Sequence, residues 1–113
     1  MGSDKQLVFG SASMLLLKLL EPGDRYGYQM IEELARRSDE TFVLKAGTLY
    51  PLLHRLEEEG LVRAYEGETV GKRVRRFYHL TAAGRRALAR RQQEWAAYVR
   101  TVNRVLEGGE SHG

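Results

Sequence analysis

A short basic cluster in the second half of the chain has the composition of a phosphate-binding turn. Four cations fall within five residues: Lys72, Arg73, Arg75 and Arg76. On a projecting turn such side chains bind backbone phosphates, and an arginine can also enter a narrow A·T minor groove. Phe77 and Tyr78 follow, and they point to opposite faces if the segment is a strand. A solvated turn without a ligand is the alternative interpretation.

The stretch from Gly47 to Val62, GTLYPLLHRLEEEGLV, precedes this cluster and has the spacing of an amphipathic helix. Its apolar side chains share one helical face: Leu49, Leu52, Leu53 and Leu56. The outer face carries Gly47, Thr48, Pro51, His54, Arg55 and Glu58, with Tyr50 on its flank. Hydrogen-bonding groups at the N-terminal end and acids at Glu57–Glu59 suit end-on entry into a DNA major groove. An ordinary amphipathic helix with a solvated outer face is the alternative.

Tyrosine hydroxyls near helix starts can donate to phosphate oxygens and fix the register on DNA. Tyr26 and Tyr50 are candidates for this role, whereas Tyr28 lies on a predicted apolar face and is expected in the core. Lys45, directly before the amphipathic helix, is a further candidate. The predicted DNA contacts are Tyr26, Lys45, Thr48, Tyr50, His54, Arg55, Lys72, Arg73, Arg75 and Arg76.

Groups with catalytic or metal-binding spacing are missing from the sequence. The three histidines, His54, His79 and His112, show no metal-ligand spacing, and no nucleophile is placed beside a base. No glycine loop of the phosphate-cradling type occurs. We therefore predict a protein that is not an enzyme and that uses neither a cofactor nor a metal.

Composition favours one soluble, compact domain. The chain has 113 residues, of which 42% are hydrophobic, and it has no cysteine, as is common in a reducing cytosol. The longest apolar run, Met14–Leu20, is interrupted by Lys18 and is too short to span a membrane. No signal-peptide pattern opens the chain. These features predict a cytoplasmic protein with no membrane partner.

The charge distribution favours a polyanionic partner. The formal net charge is only +3, but residues 45–91 hold eleven Lys or Arg against five acids. A basic middle in an otherwise acidic chain is a plausible footprint for nucleic acid, and a solvated charged surface is the alternative.

The order of elements predicts a winged helix-turn-helix. We expect a first helix over Leu7–Leu20, covered on more than one side, and a second over Gly27–Arg37. Residues 41–44 are expected to be partly extended. The amphipathic helix spans 46–59, with Thr48 as candidate N-cap, Pro51 near the first turn and Gly60 as its stop.

A hairpin and a long helix complete the predicted order. Strands over Leu61–Tyr65 and Val74–Leu80 form the wing, and Thr81 caps a last helix that ends near Leu106. The fold class is mainly α with a two-stranded β wing. We expect a DNA-binding domain over 7–80, a dimerisation helix over 81–107, and flexible tails at 1–6 and 108–113.

The last helix carries a heptad-like apolar seam, which predicts a homodimer. Leu88, Trp95 and Val102 are seven residues apart, and Val99 and Leu106 lie on a neighbouring line. A helix of roughly 39 Å outruns so small a domain, so a partner chain should cover the seam. A symmetric dimer would present two helices to a two-fold operator in double-stranded DNA. Trp95 facing its symmetry mate could hold a planar ligand or could simply pack.

Three segments together resemble the PadR family of bacterial transcriptional regulators: YGYQMIEEL (26–34), GTLYPLLHRLEEEGLV (47–62) and GKRVRRFYHLTAAGRRAL (71–88). The single C-terminal helix is similar to the family's small subfamily. The resemblance implies a homodimeric repressor, often of a transporter or detoxification gene and of its own gene. It also implies that Thr48, Tyr50 and His54 lie on the recognition helix and that the basic wing meets the DNA.

Some small members of that family bind flat, hydrophobic, often cationic drugs between paired tryptophans at the dimer interface. By resemblance, Met14, Leu15, Trp95 and Val99 would line such a site, although only Glu94 supplies an acid near Trp95. Two other classes of function stay open. One is a winged-helix protein-interaction module, and the other is a small-molecule-binding dimer without DNA binding.

Overall fold

The computed structural model describes residues 11–68, 71 and 73–108, which form four helices and a small sheet. In chain order these are α1 (Ala12–Leu19), β1 (Arg25–Tyr26), α2 (Gly27–Arg37), α3 (Ala46–Glu58), β2 (Val62–Glu68), β3 (Val74–Leu80) and α4 (Ala82–Leu106). The predicted fold class, mainly helical with a β-hairpin wing, is confirmed. No helix in the described ranges is long and apolar enough to cross a membrane.

The sheet has the order β1-β3-β2, with both pairs antiparallel. The sequence predicts only the hairpin and misses β1, because a strand of two residues has no periodicity. β1 adds to the free edge of β3 by pairing Arg25 with Tyr78 and Tyr26 with Phe77. Since side chains alternate across a strand, Tyr26 and Phe77 share the outer face, opposite the face of Tyr78.

The first wing strand is longer than predicted. Residues 66–68 look like turn residues in the sequence, yet their backbones pair with Arg76, Arg75 and Val74. The opposite charges of Glu66 and Arg76 face each other across the ladder and favour this pairing. Gly67 fits because a Cβ there would lie 2.9 Å from the Phe77 ring.

A leucine-rich core fixes α3 from beneath. α1 contributes Leu16, Leu17 and Leu19, and Leu20 follows directly after it, which confirms that this helix is covered on more than one side. Its predicted start at Leu7 lies outside the described residues. α3 contributes Leu49, Leu53 and Leu56, each at most 1% exposed. Each buried leucine adds about 1.5–3 kcal/mol to the folded state. The outer face of α3 is therefore oriented by its inner face.

The bounds of α2 are confirmed, but its inner face differs from the prediction. Tyr28, expected in the core, is 56% exposed, and Met30 is fully buried instead. The inner face runs through Gly27, Met30 and Leu34, which are three and four residues apart. Tyr28 lies on nearly the opposite side of the helix from Met30.

The predicted start of α3 at residue 46 is confirmed, but its N-cap differs from the prediction. Its N-cap is Lys45, in extended conformation, so Thr48 lies within the first turn and the cap prediction is wrong. Pro51 is the sixth helical residue, not a first-turn residue, and it removes the N–H that would bond the Gly47 carbonyl. Both residues lie on the exposed side of α3, where water can satisfy that carbonyl.

The connection between α2 and α3 contains no paired strand over 41–44, and the expectation that it is partly extended stays a prediction. Ser38 organises it, because its Oγ accepts the Phe42 N–H at 2.9 Å and donates to the Leu34 carbonyl at 2.8 Å. Asp39 and Glu40 take left-handed backbone conformations, with φ of 52° and 64°. Such φ values are unfavourable for residues with a Cβ, and more so for Glu than for Asp.

The predicted cap of α4 is confirmed. Thr81 Oγ1 accepts the Gly84 N–H at 2.9 Å and donates to the Gly60 carbonyl at 2.7 Å. α4 buries Gly84, Ala87 and Leu88, and none of its residues beyond Leu88 is buried. More than half of a 25-residue helix therefore extends away from the core.

We expect Glu40→Gly to stabilise the protein. Glycine adopts φ near 64° without a Cβ penalty, and the relief should outweigh its larger chain entropy by about 0.5–1 kcal/mol. Urea unfolding followed by circular dichroism measures the change. The control Glu32→Gly, on the exposed side of α2, should instead destabilise by about 1 kcal/mol. Equal losses in the two variants would contradict the strain at Glu40.

Candidate nucleic-acid interface

The outer face of α3 presents the predicted helix contacts to solvent. Lys45, Tyr50, His54 and Arg55 are exposed, whereas Thr48 is half-buried. No acid lies in the first turn, so the partial positive charge of the helix N-terminus is not offset there. His54 Nε2 lies 3.3 Å from Glu58 Oε2, one turn later on the same face. Cationic and hydrogen-bonding groups thus dominate the first two turns of this face.

Tyr50 connects α3 to the start of α2. A Cβ on Gly27 would lie 2.7 Å from Cζ of the Tyr50 ring and closer still to its hydroxyl, so the phenol rests directly on the Gly27 backbone. Gly27 is buried and is the first residue of α2. Only glycine allows this approach, and the contact holds the Tyr50 hydroxyl at the N-terminal end of α2.

Tyr26, the residue before Gly27, links α2 to the wing. Its N–H donates to Gln29 Oε1 at 3.0 Å, which caps the helix start. Its ring meets the edge of Phe77 at 5.4 Å and lies 4.7 Å from the guanidinium carbon of Arg75. Three residues predicted to contact DNA are therefore linked within the protein. Tyr50 of α3 rests on Gly27, and the preceding residue, Tyr26 of β1, contacts Arg75 of the wing.

The two strand arginines of the wing have different surroundings. Arg75 lies over the Tyr26 ring, and its Nε is shielded from solvent without an acceptor among the described residues. A cation–π contact of this kind restrains the guanidinium while its other N–H groups stay available. Arg76, on the other face, lies 3.5 Å from Glu57 Oε2. In the free protein Arg76 thus joins the wing to the end of α3, and its predicted role as a DNA contact stays a prediction.

The remaining wing cations are only partly described. Arg73 is exposed directly before β3, and Lys72 lies outside the described residues. The acids at the end of α3, predicted to stay out of a DNA groove, have structural partners that spacing did not reveal. Besides the Glu57 contact with Arg76, Glu59 lies 3.8 Å from Arg91 on α4.

A hydrogen-bonded cluster at the base of the wing was missed by the sequence analysis. Asp24 Oδ2 accepts the Tyr65 hydroxyl at 2.6 Å, and its Oδ1 lies 2.9 Å from His79 Nδ1. Tyr65 and His79 lie 41 and 55 residues from Asp24 in sequence. No local pattern predicts such a contact, and only the β2–β3 register brings both side chains to one face.

The Asp24 carboxyl is held in its charged form. Burial raises its pKa, but the hydrogen bonds from Tyr65 and His79, with the charges of His79 and Arg63, outweigh burial and leave the pKa below its ordinary value of 3.8. The hydrogen bond that Tyr65 donates to Asp24 raises the pKa of the Tyr65 hydroxyl, and burial raises it further. At neutral pH the pair is therefore a phenol donating to a carboxylate.

The predicted ligand-binding residues do not converge within one chain. Met14 is buried in the core, and Leu15 lines a cavity of about 300 Å³ with Lys18, Leu19, Leu34, Arg37, Ser38 and Phe42. Trp95 and Val99 line a separate apolar depression of about 270 Å³ with Tyr98 and Val102. Trp95 is not among the residues that line the cavity at Leu15. A second chain would be needed to join the two groups.

The predicted dimer seam is split by the structure. Leu88 is 1% exposed in the chain's own core, so it is not available to a partner as predicted. Trp95 and Leu106 are 37% and 75% exposed, and Val99 and Val102 are half-buried.

Within the described ranges, no three His, Cys, Asp or Glu side chains form a group that could hold a metal ion.

Comparison with known proteins agrees with this architecture. Residues 16–90 match the model of the transcriptional regulator PadR-like family. The chain belongs to the PadR family. Members of the PadR family are transcriptional regulators, not enzymes. The PadR domain thus includes α2, α3, the whole wing and the start of α4, which are the elements that carry the candidate interface.

Relatives of known name support the assignment. The PadR chain described here is 40% identical to transcriptional regulator Rv3488 of Mycobacterium tuberculosis over 77% of this chain and 74% of that protein. A PadR family regulator from Eggerthella lenta has a similar structure, with a TM-score of 0.80 and 32% sequence identity. The match covers 92% of this chain and 88% of that chain. The structure of a transcriptional regulator from Clostridium thermocellum is also similar, with a TM-score of 0.79 and 30% sequence identity, and the match covers 88% of this chain and 96% of that chain.

We expect the Asp24 carboxyl to titrate below 3.8 and Tyr65→Phe to raise its pKa, because the variant loses the hydrogen bond that favours the carboxylate. Carboxyl carbon NMR measures both values. Since the folded-state pKa is depressed, this group stabilises the fold above its ordinary pKa, and the contribution is lost as the pH falls through the folded value. Tyr98→Phe should leave the titration unchanged. An Asp24 pKa at or above 3.8 would contradict the cluster.

Proposed function

We propose that this PadR protein is a DNA-binding repressor in which α3 enters the major groove and the wing contacts the backbone or minor groove. The observation that carries the proposal is the continuous contact from Tyr50 through Gly27 and Tyr26 to Arg75. Because these contacts link the two candidate DNA-binding elements, α3 and the wing can meet one duplex as a rigid unit.

The contacts divide by chemistry between positioning and reading. Lys45 and Tyr50, at the N-terminal end of α3, suit phosphate oxygens, as does Arg75 on the wing. Arg55 and His54 lie one turn further along, where a groove-bound helix meets base edges, and arginine pairs best with guanine. The acid at Glu58 marks the end of α3 that stays outside the groove.

Dimerisation is the second part of the proposal. The second half of α4 has an exposed apolar face that includes Trp95, Tyr98, Val105 and Leu106, and the chain's own core does not cover it. A second copy of α4 would bury this face and place two copies of α3 on a two-fold operator. Occupation of a promoter by the dimer would block transcription, including that of a transporter or detoxification gene.

A planar hydrophobic inducer is the third part, and it is supported by the depression at Trp95, Tyr98 and Val99. Trp95 and Tyr98 are tilted rings 5.8 Å apart, open to solvent on one side. Opposed to its copy, this surface would form a flat aromatic slot. Residues from α1 such as Leu15 would complete it from the partner.

We expect Tyr50→Ala and Arg75→Ala each to weaken binding to an operator obtained by selection from random DNA, by about tenfold, while the fold is retained. Arg75→Ala should also lower the salt dependence by about one phosphate contact. Fluorescence anisotropy at several salt concentrations measures both. A palindromic selected site would support the dimer.

Arg86→Ala is the matched control, because it removes the same charge from the exposed start of α4. Its operator affinity should change little. Unchanged affinity in the Tyr50 and Arg75 variants at fixed salt would count against the proposed interface. Absence of salt-dependent binding to any DNA would favour the protein-interaction alternative.

We expect 1-aminopyrene, a flat apolar probe, to bind at Trp95 and to lower operator affinity. Quenching of the only tryptophan and polarisation of the pyrene report binding, and anisotropy of labelled operator reports release. Trp95→Ala should abolish probe binding, whereas Tyr28→Ala, an exposed aromatic on α2, should not. Quenching without any loss of operator affinity would instead support a small-molecule-binding dimer that does not regulate through DNA.

A further inference from the structure

Asp24 contacts both strands of the wing from outside the hairpin. It lies in the turn between α1 and β1, and it binds Tyr65 on β2 and His79 on β3 through its two carboxylate oxygens. The hairpin is also joined to the helices through β1, through the Glu57–Arg76 pair and through the core side chains Val62, Tyr78 and Leu80. A single carboxylate therefore links the loop before the DNA-binding helices to both strands.

The contact extends from Asp24 to the DNA-facing arginine through a row of aromatic rings. The Tyr65 ring stacks on Phe77 at 5.7 Å with an interplanar angle of 18°, and Phe77 meets Tyr26 edge-on at 5.4 Å. Arg75 lies over the other end of the row, 4.7 Å from the Tyr26 centroid. Aromatic pairs of this kind have preferred geometries, so a shift of Tyr65 is transmitted to Phe77.

We propose that Asp24 is a positioning residue for DNA binding: it fixes Tyr65 and His79 so that the aromatic row holds Arg75 at the distance from α3 that one duplex requires. This inference rests on the proposed DNA-binding function. It assigns no DNA contact to Asp24 itself.

The charge of Asp24 makes the proposal separable from simple electrostatics. Loss of an acid beside a DNA-binding surface strengthens binding if charge alone matters, because the protein becomes more positive. A positioning role predicts the opposite sign, since the released wing no longer presents Arg75 together with α3. Glu21 offers a matched comparison, because it lies in the same turn and its carboxylate bonds Lys18, on α1, at 2.6 Å.

The first experiment uses the free protein. Hydrogen exchange of the Arg75 and Phe77 amides, measured by NMR, should be faster in Asp24→Ala and in Tyr65→Phe than in the wild type. Tyr65→Phe removes only the hydroxyl and keeps the ring stacking, so it supplies the test if Asp24→Ala fails to fold. Glu21→Ala should leave these amides unchanged. Unchanged exchange in the Asp24 and Tyr65 variants would overturn the proposal whether or not the protein binds DNA.

The second experiment measures operator affinity by anisotropy. Asp24→Ala and Tyr65→Phe should weaken binding by about fivefold to tenfold, whereas Glu21→Ala should bind as well as the wild type or better. In an Arg75→Ala background, Asp24→Ala should cause less than about a twofold further loss of operator affinity, because each change removes the same contact between Arg75 and DNA. Tighter binding by Asp24→Ala, or an equal loss in both backgrounds, would overturn the positioning role. Failure of the wild type to bind DNA would instead overturn the proposed function.

Discussion

The pairing of two residues, Arg25 and Tyr26, with the middle of β3 is the constraint on which the arrangement of the molecule depends. α2 starts at the very next residue, so the sheet and the helical layer are joined with no intervening loop. Tyr26 thereby belongs to the sheet, to the start of α2 and to the surroundings of Arg75. Without this pairing, the wing would be attached to the helices only through its connections to α3 and α4, its core side chains and the contact with Glu57.

Most elements could be predicted from the sequence because each has a local physical cause. Each signal lies in or next to the element that it predicts. Examples are the leucine spacing of α3, the threonine cap of α4 and the alternation of side chains in β3. Two of the errors occurred where a distant partner decides the outcome. β1 exists because β3 has a free edge, and residues 66–68 are strand because their partners are on β3. The error at Tyr28 is local, because Met30, two residues along the same helix, faces the core instead.

The candidate site divides in the same way. Exposure of Tyr50, His54 and Arg55 follows from the leucines on the opposite face of their helix, so residue spacing identifies them. The different surroundings of Arg75 and Arg76 could not be predicted from a run of cations, since they depend on which face of β3 meets Tyr26 and which meets Glu57. The Asp24 cluster joins three segments and has no signature in any one of them.

The contact between Tyr50 and Gly27 has a consequence for how this interface can evolve. A tyrosine at 50 and a side chain at 27 exclude each other in the present geometry, so a side chain at 27 is tolerated only after Tyr50 has been replaced by a smaller residue. His54 and Arg55 have no such partner in the core and can be exchanged at little cost to folding. Under the proposed function, DNA sequence preference would therefore change through positions 54 and 55, whereas a side chain at 27 would first require the loss of Tyr50.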